Sequence, residues 1–473
     1  MSTPPPAPRE PLEAAARRRL AIVGGGIGGV ATAWLCDADW DISLFEARAR
    51  IGGNCDSVTM DHLGRELVVD LGAQFFHPGT HPTYIALLDL LESSTASRVG
   101  GERVGAKYEI AAGLSVVPLA PPAGESVDPF FASTNLLKTP MHALDFAVYS
   151  VAARKMASSG DYSVTMASWV DGLRVSERFK SQVLLPWVTA SEGHPLEETK
   201  RSSARAILEL FAPSHPRNLL ERATTWSSYA GLQANVDALA RQCGRTSVHT
   251  QSPIVRIEKL GAEWFVHTGS GRSGPFDAVV INAPPWASKK LLGELAWAEG
   301  LVKILDRYEF RSHRLTVHTD PVYVHRNKKS WGLANVGVGA GGDPNTQNEL
   351  SIWMGAALKK VKGQTVDVFK SWTTYRDRES KEVVAEREFQ HSIKTPEMMD
   401  AARQLRSWQG REGLWFAGQF TSGIDLQESA LRSAMDVAAS LAPGSARLAA
   451  LRRRKSTLAR DGGRNPIAMW GGG

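Results

Sequence analysis

The sequence predicts an α/β fold: a parallel sheet opened by a βαβ crossover, joined to a second, mixed α+β part. Three observations carry that prediction. An apolar run, Leu20 to Val23, passes into the glycine-rich turn Gly24-Gly25-Gly26-Ile27-Gly28-Gly29 and then into helix formers from Val30 to Cys36. A second run, Asp41 to Phe45, ends on the acid Glu46. Further along, the apolar residues change their spacing, helical over 134–212 and alternating over 308–357.

The first element reads as a buried parallel strand, because a short apolar run bounded by glycine leaves no polar face. Gly24, Gly26 and Gly29 satisfy GxGxxG, and Glu46 follows Gly24 by 22 residues. A lone GxGxxG is commonly a plain glycine-rich turn. Here a strand before it, a helix after it and an acid at this spacing make a dinucleotide-binding crossover. One glycine permits the tight turn, one lets the backbone approach a pyrophosphate, and one lets helix and strand pack closely. The helix start at Ile27 and Gly28 offers unpaired N–H groups and a positive dipole end to phosphate. Glu46 would accept from ribose hydroxyls, and its charge argues against a 2′-phosphate.

The next residues separate a nicotinamide from a flavin dinucleotide. Ala47-Arg48-Ala49-Arg50-Ile51-Gly52-Gly53-Asn54 sets a second glycine pair behind a basic residue. That predicts a second turn against the pyrophosphate, where Arg50 would offset charge in a bidentate way. Glu66 to Phe76 reads as a strand running into a small-residue turn. Gly72 and Ala73 would let the backbone lie against a flat ring, with Gln74 and Phe75 beside it.

These blocks, ExxxRxGG followed by DxGAxxF, resemble the N-terminal signature of the flavin amine oxidase and phytoene desaturase superfamily. Later blocks are similar in the same order. Ser252 to Ile257 and Asp277 to Pro285 look like its adenine-side strands, which would set Val255 by the adenine. Gly413 to Gln419 looks like its strand ending in FAG, and Glu428 to Ala434 like its closing helix, with Leu426 just before it. His318-Thr319-Asp320, Trp331 and Gln409-Gly410 look most like a bacterial branch of amine-oxidase-like, NAD/FAD-binding proteins linked with fatty acid modification. The resemblance implies FAD as cofactor, held by the residues named above together with Gly418 and Gln419. It also implies an interleaved architecture, in which a Rossmann-like FAD-binding domain comes from 18–95, 220–295 and 405–445. The substrate domain comes from 96–219 and 296–404, between a disordered leader, 1–17, and a basic tail, 446–473, expected to fray.

Composition narrows the function classes. The chain has 473 residues with a net charge of +6. That charge sits in the ends: residues 1–19 carry +2, 442–473 carry +6, and the body carries −2. A nucleic-acid-binding domain would concentrate basic charge on its own surface, so no nucleic-acid partner is expected. Three scattered cysteines, Cys36, Cys55 and Cys243, make neither a zinc ribbon nor a disulfide framework, which fits a reducing, cytoplasmic setting. There is no run for a membrane span. Arg452 to Lys455 read as a solvated tail, with peripheral contact to anionic lipid as the alternative. Neither a GxSxG elbow nor a P-loop is present.

Catalytic groups are harder to read. Gln74, His77 and His318 are the candidates. His77 and His81 lack further ligands for a metal, so none is expected, and they read as loop residues beside the cofactor. His318 and Asp320 could pair on one strand face. Two departures from the family stand out. Gln419 replaces the usual acid after FAG, and the lysine that holds a water at the flavin N5 in many amine oxidases has no clear counterpart, Lys303 being nearest. The aromatic cage of amine oxidases is not readable either. The sequence is therefore read as an FAD-dependent oxidoreductase moving a hydride from a C–H of an apolar, acyl-chain or other lipophilic small molecule to flavin N5. The alternatives are an amine or amino acid oxidase, and a non-catalytic binding protein such as the Rab GDP dissociation inhibitors, which resemble this superfamily without redox chemistry.

Overall fold

The computed structural model describes residues 17–118, 129–133, 140–211, 224–338, 348–358, 360–376 and 378–464. The stretches 1–16, 339–345 and 465–473, expected as leader, turn and end of the tail, lie outside the described residues.

The chain opens with β1 (Arg19–Val23), α1 (Ile27–Cys36) and β2 (Asp41–Phe45), β1 and β2 running parallel with Ile22 opposite Leu44. Leu20 to Val23 are all buried, which is why β1 is apolar without alternation. A hairpin follows, β3 (Ser57–His62) and β4 (Arg65–Asp70), then α2 (Pro82–Ser94). Next, β5 (Leu114–Pro118) enters a different sheet. A helical layer comes after it, with α3 (Pro140–Ala157), α4 (Leu185–Glu192) and α5 (Ala204–Phe211). Tyr149, Phe179, Val188 and Ile207 close its core.

β6 (Thr224–Ser228) leads to α6 (Gly231–Arg241), and β7 (Thr246–His249) returns to the first sheet beside β2. A three-stranded antiparallel sheet spans 256–276 before β8 (Ala278–Ile281) pairs with β1, Val23 opposite Ile281. Then come β9 (Phe310–His318), β10 (Ala334–Val338), β11 (Glu349–Trp353), β12 (Phe369–Trp372) and β13 (Val383–Ser392). The chain closes with α7 (Pro396–Leu405), β14 (Leu414–Phe416), α8 (Gln427–Leu441) and α9 (Ala446–Arg464).

Two sheets organise these elements. The first is parallel, in the order β7-β2-β1-β8-β14, and is drawn from three distant stretches of chain. The second is mixed, in the order β13-β9-β12-β11-β10-β5 with a short strand at Phe131–Ala132. The β3–β4 hairpin packs on the second: Leu67, Val69 and Leu71 form one cluster with Leu315, Val317, Ile352 and Phe389. The turn after β4 is thereby held under the face of the mixed sheet. No helix among the described residues is long and apolar enough to cross a membrane.

The segment past Ser445, expected to fray, is instead the helix α9. Its apolar anchors are few, but Leu448 and Leu451 are fully buried. Its arginines find acceptors on neighbouring elements: Arg447 donates to Trp34 O at 2.7 Å and Gln242 O at 2.6 Å, and Arg454 to Asp89 at 2.7 Å. Of the basic run at 452–455, Arg452 and Arg453 are exposed, while Arg454 anchors the helix in the fold. Leu451→Ala should destabilise the chain by about 2–5 kcal/mol, the cost of an emptied core site, read from denaturant unfolding; a helix that frays in solution would show almost no change.

Candidate active site

The turn after β1 is locked by backbone before any side chain acts on a ligand. The Gly24 N–H donates to Phe45 O at 2.8 Å. A Cβ on Gly29 would lie 2.1 Å from Gly24 O, so only glycine lets α1 approach β1 this closely. Asn282, just past β8, wedges the turn from the other side: its Nδ2 donates to Gly24 O at 3.2 Å, and a Cβ on Gly26 would come within 2.9 Å of that nitrogen. The sequence pattern accounts for Gly26 by the approach of phosphate alone; the structure adds Asn282 as a second reason.

The start of α1 is built to receive an anion. Gly26, its N-cap, is extended and supplies no side-chain cap. Two other buried helix starts are capped from a distance. Glu428 accepts from the Thr83 and Tyr84 N–H groups at 2.9 and 2.8 Å at α2, and Asp70 accepts from the Leu232 N–H at 2.8 Å at α6. The start of α1 has no such carboxylate among the described residues. Glu46 is close by and buried, but its oxygens are turned to Gly25 N–H (2.7 Å) and Arg48 N–H (2.8 Å). Each oxygen keeps acceptor capacity, which suits ribose hydroxyls. Ala47 and Arg48 follow it on the exposed rim.

The second glycine pair closes over the first. Gly52 has φ +114°, its N–H donates to Gly25 O at 2.7 Å, and it bridges Gly26 in parallel. Arg50 departs from expectation. Its guanidinium donates to Gln233 Oε1 at 2.8 Å and Gly53 O at 3.0 Å and pairs with Asp56 at 2.7 Å. These contacts brace the Gly52-Gly53-Asn54 turn, so the bidentate fork expected to face phosphate is spent on the protein.

The third block brings in a residue that sequence reasoning missed. After β4 the chain turns at Gly72, where a Cβ would collide with Asn54 O at 2.0 Å. Lys370, on β12, reaches down to this turn, donating to Gly72 O at 2.6 Å and to Gln74 Oε1 at 3.4 Å. Gln74 is buried and its Nε2 meets Met354 Sδ at 3.3 Å, while Phe75 lies at the edge of the cluster that packs the hairpin on the mixed sheet. Burial lowers the pKa of the Lys370 ammonium, and the neighbouring Asp70 partly restores it. Burial in turn raises Asp70, against hydrogen bonds from Ser57 and Leu232 and the charge of Lys370. Lys303, the nearest candidate in sequence, sits on a surface helix, 72% exposed and paired with Glu299 at 2.7 Å. Nothing local marks Lys370; only its strand register, opposite Val317, turns it toward the Gly72 turn.

At the far end of the chain, the Gly418 N–H donates to Ser433 Oγ at 2.7 Å, and Leu426 begins α8 with no side-chain cap. Gln419 donates through Nε2 to Asp425 at 2.9 Å, which leaves its amide oxygen as the acceptor to be offered to a cofactor. A cleft of about 1260 Å³ between α3, α7 and α8 reaches Ile424 and Leu426. Val255 is 62% exposed, and its N–H is held by His267 O at 2.9 Å.

The remaining candidates fall away from this centre. His77 Nδ1 accepts from the Gly79 N–H at 3.0 Å within its own loop. His318 lies opposite Phe369, hence on the other face of the sheet from Lys370, and its Nε2 meets Ser371 Oγ at 2.8 Å. Its expected partner Asp320 lies past the end of β9, and its carboxylate accepts from the Lys381 N–H at 3.2 Å. Burial pushes the His318 imidazole down to about 4. The expected His318–Asp320 side-chain pair is thus replaced by separate contacts, to Ser371 and to Lys381.

Two uncapped helix starts, the buried carboxylate of Glu46 and two glycine turns that admit no Cβ together fit an adenine dinucleotide. The comparisons with known proteins agree. A model described as NAD(P)-binding Rossmann-like domain matches residues 22–91, and one described as flavin containing amine oxidoreductase matches 124–311. No relative is detected among curated protein sequences. Among solved structures, the chain is similar to a CLA-producing fatty acid isomerase from P. acnes, with 13% identity, 89% of this chain and 98% of that one covered, and a TM-score of 0.59. It is likewise similar to putrescine oxidase bound to putrescine, with 15% identity, 90% and 99% covered, and a TM-score of 0.60. At such identity these likenesses speak to the fold.

Replacing Glu46 by alanine should weaken FAD binding by about 1.5–3 kcal/mol, the worth of a charge-assisted hydrogen bond, measured by titrating apoprotein with FAD; unchanged affinity would take the ribose assignment away from Glu46. The motifs, the fold and the matches to these two models over parts of the chain make it an FAD-dependent oxidoreductase similar to the flavin containing amine oxidoreductases.

Proposed function

We propose that this oxidoreductase takes a hydride from a C–H of an apolar small molecule, acyl-chain or otherwise lipophilic, to the flavin N5, with oxidation, desaturation or isomerisation as the outcome. The observation that supports this most is the chemistry of the mixed-sheet face above the Gly72 turn. Leu315, Val317, Ile352 and Phe389 make that face apolar. Lys370 points down to Gly72 O and Gln74, away from any substrate. Two acids near the end of this face, Glu192 and Asp425, are both paired with the chain's own Lys394, at 2.7 and 3.1 Å. The likeness to a fatty acid isomerase points the same way.

FAD, when bound, supplies a two-electron acceptor at N5. The chain does the rest. The α1 amides and Glu46 bind the dinucleotide, the Gly72-Ala73 backbone admits a flat ring, and the apolar sheet face excludes water. Lys370 would hold a buried positive charge above the Gly72 turn, beside the place a bound flavin ring would take. The second reading, an amine or amino acid oxidase, is supported by the description of the matching family and the likeness to putrescine oxidase.

Anaerobic flavin bleaching separates the two. Purified protein should be bleached by members of a panel of unsaturated fatty acids and left yellow by a panel of amines; bleaching by amines alone would overturn the substrate class. With a bleaching substrate in hand, Lys370→Met should retain flavin but slow its reduction about a hundredfold, the scale of one lost preorganised donor. Stopped-flow absorbance would show this, and an unaltered rate would remove Lys370 from the chemistry.

A further inference from the structure

Three histidines from distant stretches of the chain meet beside the proposed substrate face. The rings of His194 and His313 are 5.1 Å apart and those of His313 and His391 5.3 Å. His194 follows α4, His313 lies in β9 and His391 in β13. Strand register puts His313 opposite Phe389, and His391 lies two residues beyond Phe389 on the same face. Phe389 itself touches the space over Gly72: a Cβ there would lie 3.1 Å from its ring. On the other side, Ser392 Oγ donates to Asp425 at 2.9 Å, and Asp425 holds Gln419 just ahead of α8. His391 thus lies on β13 between Phe389, which meets the Gly72 turn, and Ser392, which meets the loop that holds Gln419.

The hydrogen bonds define the tautomers. His194 Nε2 lies 3.0 Å from Ser392 O, and a carbonyl can only accept, so that nitrogen carries the proton. His194 Nδ1 is then the acceptor for His313 Nε2–H at 3.3 Å. That leaves His313 Nδ1 a bare lone pair, and it is buried without a partner. His391 Nδ1–H donates to Glu192 O, a long bond of 3.4 Å, so its Nε2 is also a bare lone pair, with no partner among the described residues. Burial keeps all three imidazoles neutral, His313 down to about 3.

The charges around His391 do not cancel. Glu192 from α4 and Asp425 from the loop before α8 both face Lys394, at 2.7 and 3.1 Å. Burial opposes the Lys394 charge, but Asp425 and Glu192 override it and hold the ammonium protonated. Two carboxylates and one ammonium leave one buried negative charge. From the sheet, His313 and Trp372 face His391 and bring no compensating cation. The cluster thus offers two free lone pairs beside an unbalanced negative charge: a place for one proton.

We propose that His391 Nε2 takes up the proton released when the flavin is reduced. This rests on the oxidoreductase reading and narrows it to desaturation, in which a proton and a hydride leave neighbouring carbons. The hydride carries its electron pair to the flavin, the proton goes to His391, and the pair left by the departing proton forms the new C=C bond. The substrate class is an acyl or carbonyl compound with an acidified C–H next to the hydride-bearing carbon.

The test needs no substrate. The midpoint potential of the flavin-loaded full chain, measured against pH between 7 and 9, counts protons taken up per electron pair. Wild type should take up one proton more than His391→Asn, whose amide keeps a donor where Nδ1 was and lacks Nε2. Equal slopes in two proteins of equal flavin content overturn the assignment. Should the variant lose its flavin, 15N NMR of histidine-labelled wild type decides: on reduction with dithionite one imidazole should become imidazolium, and no change overturns the proposal. A wild-type chain that binds no flavin would be a separate failure, that of the oxidoreductase reading itself.

Discussion

A buried helix start with no acceptor for its first N–H groups is costly, and the α1 terminus is the one around which this protein is organised. Where α2 and α6 begin, the chain sends remote carboxylates, Glu428 and Asp70, to accept from the free amides. At α1 none of the described residues sends one. The chain packs glycine against glycine instead, Gly29 on Gly24 and Gly52 across Gly26, and lets Asn282 pin the turn. The unmet demand of those amides is the physical form of the cofactor site.

The rest of the active centre follows from how the second sheet is laid over that site. Leu67, Val69 and Leu71 lead out of the hairpin into the same cluster as Leu315 and Phe389. This fixes the Gly72 turn beneath the strands that carry Lys370 and His391. Polar groups are admitted there only where something satisfies or uses them: Lys370 is bonded to Gly72 O, and Lys394 to two carboxylates. In a low-dielectric site each such group costs desolvation, so the buried His313 Nδ1, left without a partner beside His391, is an informative one.

The cofactor turns were legible because each is a local device. The spacing of Gly24, Gly26, Gly29 and Glu46, and later of Arg50, Gly52 and Gly53, is set within one crossover. The role of Arg50 was not legible, since its partners Gln233 and Asp56 lie outside the motif. Neither was α9, whose hold depends on the carbonyls of Trp34 and Gln242 and on Asp89. His318 was a candidate by its neighbours in sequence and is structural by its face of the sheet, where it meets Ser371.

Read alone, the sequence determined the dinucleotide crossover and the flavin cofactor, because short-range spacing dictates where backbone N–H groups and a carboxylate can meet a pyrophosphate and a ribose. Tertiary structure decided which polar side chains stand at the reacting end. Lys370 and His391 come from strands some three hundred residues beyond the turn they face, and a side chain changes sheet face with each step along a strand. No local pattern records that outcome; it is set by register and by the packing of the β3–β4 hairpin on the mixed sheet.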